Sequence, residues 1–214
     1  MRNLLVFIFV FCACAGYSQS YTGEYWSSIS FSKKIIKKTR LNFETGFRFE
    51  DVAKNNTALF ELGLTRRLPK KFKLEVSYRY SAKSTIERKF RKVHRTSISL
   101  SKGYKIKKIK FSVMSKYQWE IKNRTSARNN DLTDIAWRNK IKVTKKVCKK
   151  THLFFGAELF AFESNNLINR YRYFGGVKYK IKKKIELNLK GIYETMFYNP
   201  NKSGMLSLSY VQKI

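Results

Sequence analysis

The stretch 171–197 restricts the possible folds more than any other part of the sequence. Apolar or aromatic residues alternate there with small or charged ones, on both sides of a lysine turn at 182–184. A period of two is that of a β-strand, whose successive side chains point to opposite faces. Each arm keeps the alternation for about ten residues, close to the roughly 9–11 that a tilted strand needs to cross a bilayer. Strands of soluble proteins usually have only about 5–6 residues. The pattern therefore predicts a transmembrane β-hairpin.

Runs of the same kind occur along almost the whole chain. The eleven runs, including the two arms of the hairpin, start near Tyr21, Thr39, Thr57, Phe72, Thr96, Ile109, Ile135, Leu153, Tyr171, Ile185 and Met205. No stretch shows a helical period of comparable length, and a sheet in lipid must close so that no strand edge stays unpaired. The sequence predicts an all-β fold, a closed antiparallel transmembrane β-barrel of about 10 to 12 strands.

The connections between the runs form two sets. Those after odd-numbered runs are short and rich in lysine, whereas those after even-numbered runs are mostly longer and polar, as at 82–93 and 123–134. Outer-membrane barrels have short periplasmic turns and longer outer loops, so we expect the lysine turns and Ile214 to face the periplasm. An odd strand count would start the first strand on the outer side, although bacterial barrels usually have even counts. Either the first run is irregular or one strand is miscounted.

Residues 1–19 have the organisation of a secretory signal peptide. An arginine at the second position is followed by an apolar run over 4–15 and by small residues, and cleavage fits after either Ala15 or Ser18. The apolar run is too short to cross a membrane as a helix. We expect residues 1–19 to be removed and residues 20–214 to form a single barrel domain in the outer membrane. Cys148 would then be the one cysteine of the mature chain.

The formal net charge of +32, with many tyrosines and phenylalanines, is also a feature of nucleic-acid-binding proteins. An exported chain rarely meets nucleic acid, and the lysines cluster in the turns between runs. Aromatic residues make up 15% of the chain although the mean hydropathy is −0.45. This combination is expected when polar and apolar residues alternate along every strand. We therefore expect no nucleic-acid partner.

Half of the 14 acidic residues fall on the predicted inward face of the strands, together with arginines and lysines. The predicted charge network of the lumen consists of Glu44, Arg48, Glu61, Glu75, Arg79, Glu120, Arg138, Glu158, Arg172, Glu186 and Glu194, with Lys116, Lys140, Lys178 and Lys190 on the same face. Barrels of about 8 strands are filled by side chains, and those of about 16–18 strands leave a wide channel. The first hypothesis is therefore a structural or interaction barrel with a charged, largely packed lumen. The alternative is a narrow solute or ion channel.

A lipid-modifying enzyme is a third hypothesis. Acyl hydrolysis or transfer usually needs a nucleophile beside a base such as histidine. His94 is predicted to face outward near the outer rim, and His152 lies beside the turn at 149–150, at the opposite end. No metal-ligand spacing, phosphate-binding glycine loop or nucleophile elbow occurs in the sequence. We expect no enzymatic activity, no catalytic or metal-binding residue and no cofactor.

Seven aromatic residues near predicted strand ends are expected to form the interfacial girdles of a membrane barrel. They are Trp26, Tyr78, Tyr80, Trp119, Trp137, Tyr193 and Tyr210. The expected partners are outer-membrane lipid and the barrel assembly machinery, and the protein is expected to be a monomer.

Several short motifs resemble a known family over nearly the whole mature chain. They are Glu24, Tyr25 and Trp26 at the start, Tyr78-Arg79-Tyr80, His94-Arg95, Trp137-Arg138-Asn139-Lys140 and the terminal strand. With these motifs the chain resembles the exported barrels named domain of unknown function 2490, which are common in Gram-negative bacteria. The resemblance implies an outer-membrane β-barrel, and it implies no activity and no catalytic residues. The chain differs in its high lysine content and in ending with Ile214, where an aromatic residue is usual.

Overall fold

The computed structural model describes residues 22–50, 55–84, 90–122, 132–162, 167–197 and 202–214. The expected signal peptide at 1–19 and parts of the two predicted polar loops lie outside these residues. Within the described ranges, no helix has the length and apolar character needed to cross a membrane.

Eleven strands and one 3-10 helix, Pro69–Lys71, make up the secondary structure of the described residues. The strands are β1 (Thr22–Ile36), β2 (Thr39–Glu50), β3 (Asn55–Arg67), β4 (Phe72–Ser84), β5 (Phe90–Ile106), β6 (Ile109–Lys122), β7 (Leu132–Lys146), β8 (Thr151–Phe162), β9 (Leu167–Lys182), β10 (Ile185–Met196) and β11 (Lys202–Lys213).

The strands form a closed barrel in which each strand pairs with its neighbours in the sequence and β1 pairs with β11. All consecutive pairs are antiparallel, whereas β1 and β11 run parallel. Because the strands alternate in direction, an odd number brings the first and the last together in the same orientation. The predicted closed barrel is confirmed, with one parallel pair in an otherwise antiparallel sheet. That pair explains how an odd number of strands closes.

The short connections lie together at one end of the barrel, which we call the turn end. The chain's last residues lie there too, because Ile214 N donates to Ser32 O at 2.9 Å and Lys213 N donates to Lys184 O at 2.8 Å. Lys107 has a positive φ of 47°, as the two-residue turns of hairpins often require. The opposite end, where β1 starts, is the loop end.

The outward face of the barrel carries an apolar band. Its exposed side chains include Phe47, Leu62, Val76, Ile98, Val113, Ile141, Phe155, Val177, Leu189 and Leu208. On the outward face of the described strands, charged side chains occur only near strand ends, at Lys33, Arg66, Lys92, Lys102 and Lys145. A soluble monomer rarely exposes an apolar surface this continuous, whereas a barrel in lipid requires one. The strands therefore present a membrane-spanning surface.

Phenylalanine and glycine face each other on the inner wall where β8 meets β9. Phe154 is directly opposite Gly176, and Gly156 is directly opposite Phe174. The two rings join Ile192 and Met205 in a buried apolar cluster. Each ring covers the glycine across from it, so this part of the wall has no space for a side chain at either glycine.

The strands are longer at the loop end than the sequence predicts. β4 continues to Ser84, β5 begins at Phe90 and β7 begins at Leu132, so the predicted polar loops 82–93 and 123–134 are shorter than expected. The added part of β5 carries charged residues on both faces, as at Arg91 and Lys92, so the apolar alternation no longer marks the strand there. Backbone pairing with the neighbouring strand extends further than the apolar band does.

Candidate functional site in the lumen

Glu158 is the centre of the largest ion-pair network on the described inner wall. Its carboxylate is 2.8 Å from Arg138 Nη2, 2.8 Å from Lys140 Nζ and 3.5 Å from Arg172 Nη1. Lys140 and Arg172 stand directly opposite Glu158 on β7 and β9. Arg172 Nε donates in turn to Glu194 at 2.9 Å. The strand register thus brings four of the predicted lumen residues, Arg138, Glu158, Arg172 and Glu194, into one network with Lys140.

The other predicted residues are distributed around the wall. Further ion pairs join Arg79 to Glu61, Arg95 to Glu120, and Lys178 and Lys213 to Glu186. Glu44 accepts a hydrogen bond from Ser30 Oγ at 3.3 Å, and Glu75 accepts one from Thr65 Oγ1 at 3.0 Å. Within the described ranges, neither of these two carboxylates has a cation within 4.0 Å.

Three successive inward cations of β7 each lie over a phenyl ring. The distances from the charged centre to the ring centre are 4.8 Å for Arg138 and Phe160, 4.7 Å for Lys140 and Phe174, and 4.2 Å for Lys142 and Phe154. A cation over an aromatic face is stabilised by about 0.5–2 kcal/mol, most where water is excluded. These contacts hold long basic side chains against the wall.

A second group of cations lies at the closure of the barrel, in a row of four neighbouring positions. Arg48 on β2 is directly opposite Trp26 on β1, Trp26 is opposite Ser207 on β11, and Ser207 is opposite Lys190 on β10. Arg48 Cζ is 4.0 Å from the centre of the Trp26 indole, and Lys190 Nζ is 5.9 Å from it. We call these four residues the closure row.

Two adjoining cavities occupy the lumen, and both are lined by Ser30, Glu44 and Val211. The larger has a volume of about 520 Å³ and includes the closure row and the Glu158 network in its wall. Nine of its lining side chains are lysine or arginine and four are aspartate or glutamate. The smaller, of about 460 Å³, has three of each sign. The larger cavity is therefore strongly cationic, and the smaller one is electrically balanced.

A third cavity, of about 600 Å³, opens at the turn end between the β5–β6 and β7–β8 turns. Six lysines line it, Lys105, Lys107, Lys108, Lys110, Lys146 and Lys149, together with His152 and the exposed Cys148. No aspartate or glutamate belongs to its described wall. This cavity is a cationic pocket at the turn end, and we call it the turn-end vestibule.

The two histidines lie at opposite ends of the barrel. His94 Nδ1 is 2.7 Å from Tyr78 Oη near the loop end, and the His94 ring contacts Tyr80. His152 lines the turn-end vestibule. In the part of the chain that the structure describes, no group of three or more His, Cys, Asp or Glu side chains is placed to hold a metal ion.

Sequence reasoning placed one aromatic residue wrongly and missed two cations of the inner wall, Arg95 and Arg170. Trp26 was expected in an interfacial girdle, but it packs against the buried Phe154 cluster inside the barrel. Its even position on β1, opposite in phase to Tyr25 and Ile29, is the signal that separates it from them. Arg95 and Arg170 were missed because the predicted strands started after them, although both continue the inward alternation of β5 and β9.

The sequence model of a family of proteins of unknown function, DUF2490, matches residues 23–204. The chain belongs to the DUF2490 family. The match spans β1 to the start of β11 and includes the Glu158 network and, of the closure row, Trp26, Arg48 and Lys190. No match to this DUF2490 barrel is found among the curated proteins.

Two solved structures show which fold the DUF2490 barrel shares. The NanC porin has 12% sequence identity and a TM-score of 0.52, with 80% of this chain and 85% of that chain covered. The β domain of the Bordetella autotransporter BrkA has 7% identity and a TM-score of 0.53, with 83% of this chain and 82% of that chain covered. At these identities the likeness concerns the fold alone, which is that of outer-membrane β-barrels.

Proposed function

We propose that this DUF2490 barrel lies in the outer membrane and lets small anions pass through its lumen. The observation that carries the proposal is the wall of the larger cavity, where nine basic side chains face four acidic ones. A passage lined by one sign of charge, within walls of low dielectric, concentrates ions of the opposite sign. Eleven strands lie between the filled barrels of about 8 strands and the wide porins of about 16–18, so only small solutes would fit.

The proposal predicts a measurable selectivity in planar bilayers. With the folded protein in a KCl gradient, we expect discrete openings and a reversal potential of the sign that chloride sets. Replacing Arg48→Gln or Lys190→Gln should lower the chloride-to-potassium permeability ratio by up to about fourfold each, because the lost charge attracts one ion and repels the other by the same energy. A unit charge about 10 Å from the ion contributes about 0.4 kcal/mol in water.

The matched control for this measurement is Arg66→Gln. Arg66 is an exposed outward residue near the end of β3, so the variant removes the same charge from outside the lumen and should leave the ratio unchanged. Heat-modifiable gel migration would verify that each variant is folded. Folded protein that never opens, or that passes potassium better than chloride, would defeat the proposed anion passage.

The second candidate is a structural barrel with a closed lumen, and the Glu158 network favours it. That network joins side chains of β7, β8, β9 and β10 along the inner wall. A folded protein without openings would support this candidate. The separation of His94 from His152 favours neither hydrolysis nor acyl transfer, and the proposed function includes no catalytic step.

We also propose that the turn end faces the periplasm, because short turns lie on that side in outer-membrane barrels. Cys148 is exposed at this end and tests the orientation. A membrane-impermeant thiol reagent should leave Cys148 unmodified on intact cells and modify it after the outer membrane is permeabilised. An anionic reagent should react faster than a cationic one of similar size, because lysines line the vestibule around the thiol.

Cys148→Ser is the control for this labelling and should abolish it. Labelling of Cys148 on intact cells would show the opposite orientation.

A further inference from the structure

The closure row places two cations, Arg48 and Lys190, on the wall of the larger cavity outside the ion pairs described above. Arg48 and Lys190 take part in no ion pair within 4.0 Å in the described residues. Both are only partly exposed. Most other arginines of this cavity wall are matched to a carboxylate, as Arg172 is to Glu194. A partly buried cation is stable where an anion or water supplies the missing partner.

Trp26 and Ser207 lie between the two cations and complete the surface of the closure row. The Trp26 indole is held in place because its Nε1 donates to Glu24 Oε2 at 2.8 Å. Arg48 Cζ lies 4.0 Å from the centre of that ring, and this cation–π contact holds the guanidinium at the wall. Ser207 follows in the row, and Lys190 ends it, directly opposite Gly176 on β9.

We infer that the closure row is a binding site for a small oxyanion, a carboxylate or phosphate group, held between Arg48 and Lys190. Arg48 would give paired donors to two oxygens of the anion, as a guanidinium does with carboxylate and phosphate. Lys190 would add a second charge, and Ser207 lies between them. The cavity of about 520 Å³ leaves room for the rest of a small molecule. The inference deepens the proposed function by naming the class of solute, and it rests on that function only in requiring a water-filled lumen.

Trp26 provides a direct probe of this site. The chain has three tryptophans, and Trp119 and Trp137 are exposed on the outward face. In a Trp119→Phe, Trp137→Phe background, fluorescence would come from Trp26 alone. Iodide should quench it more strongly than neutral acrylamide does, because the two cations concentrate anions at the indole. Inorganic phosphate and succinate, tested separately, should protect Trp26 from iodide in a saturable way and at lower concentrations than chloride at equal ionic strength.

Variants of the closure row test whether Arg48 and Lys190 cause the iodide quenching of Trp26 and its protection by oxyanions. Arg48→Gln and Lys190→Gln should each lower iodide quenching at least about twofold and abolish the advantage of phosphate and succinate over chloride. Arg66→Gln, which removes a charge from the outside, should change neither. Two positions are used so that the test survives if one variant does not fold. Quenching that is insensitive to both variants, or oxyanions that protect no better than chloride, would overturn the inference.

The outcomes separate the site from the proposed passage. Oxyanion protection that depends on Arg48 and Lys190, in a barrel that does not conduct, keeps the site and removes the channel. Anion-selective conductance without such protection keeps the channel and removes the site. Protection by phosphate alone, or by succinate alone, identifies which oxyanion the row accepts.

Discussion

Glu158→Gln should destabilise the barrel more than any other single charge removal on the described inner wall, by roughly 3–5 kcal/mol. Glu158 is 2% exposed, and three cations share its carboxylate. Replacing it by the isosteric amide leaves the packing unchanged and leaves Arg138, Lys140 and Arg172 facing each other around a neutral group. The urea midpoint of the folded protein in detergent micelles or vesicles measures the loss.

Glu75→Gln is the matched control for this prediction. Glu75 faces the same lumen but accepts a hydrogen bond from Thr65, and among the described residues no cation lies within 4.0 Å of it. We expect it to cost less than about 1 kcal/mol. Adding Lys140→Met to Glu158→Gln should recover part of the stability, since it removes one uncompensated cation. Equal midpoints for Glu158→Gln and Glu75→Gln would show that the network does not hold the barrel together.

Strand identity could be predicted from the sequence because lipid imposes a simple rule on the outward face. β2 and β6 have the bounds that alternation predicts, Thr39–Glu50 and Ile109–Lys122. In both strands the apolar residues extend to the ends. β5 begins six residues before its predicted start at Thr96, because its first residues carry charges outward as well as inward. Alternation of apolar and polar residues marks the part of a strand that lies in the hydrocarbon core of the membrane. It gives no signal for the part of a strand that extends beyond that core.

The direction of each lumen side chain follows from the same rule, but its partner does not. The phase of β8 suffices to put Glu158 on the inner wall. Which cations meet it depends on the register of β7 and β9, and register is fixed by turn geometry and by neighbouring strands. The closure row depends on still more, since Trp26 and Ser207 meet only because β1 and β11 run parallel. A pattern read along one chain does not contain that pairing.

The free space inside the barrel could not be predicted either. Inward arginines and lysines are long enough to fill a lumen, and the first hypothesis was a largely packed interior. In the structure several of them lie along the wall, over rings such as Phe174 and Phe154. Whether a long basic side chain extends into the lumen or lies along the wall depends on which side chains of the neighbouring strands it can contact. Aromatic rings on the adjacent strand or on the next one are not visible as neighbours in the sequence.

Gly176→Ala should also be strongly destabilising, because the wall between β9 and β10 has no room for a methyl group. A Cβ built at Gly176 would lie less than 3.0 Å from the Leu189 carbonyl oxygen and from the Phe154 ring. The carbonyl belongs to the backbone of a paired strand, so the sheet itself would have to shift. Overpacking of this kind typically costs about 1–3 kcal/mol. The urea midpoint and the fraction of protein that shows heat-modifiable migration would report the loss.

Gly103→Ala separates this close approach from the general effect of replacing a strand glycine. Gly103 is also inside a strand, but the nearest atom to its added Cβ is Lys110 Cε at 3.3 Å, the far end of a flexible side chain. Alanine there should be neutral or stabilise by up to about 1 kcal/mol, because the unfolded chain loses freedom. If Gly176→Ala and Gly103→Ala had the same urea midpoint, the contact of Phe154 with Gly176 would not restrict the side chain that position 176 can hold. A lower midpoint for Gly176→Ala alone would mean that this glycine is required by its neighbours on β8 and β10.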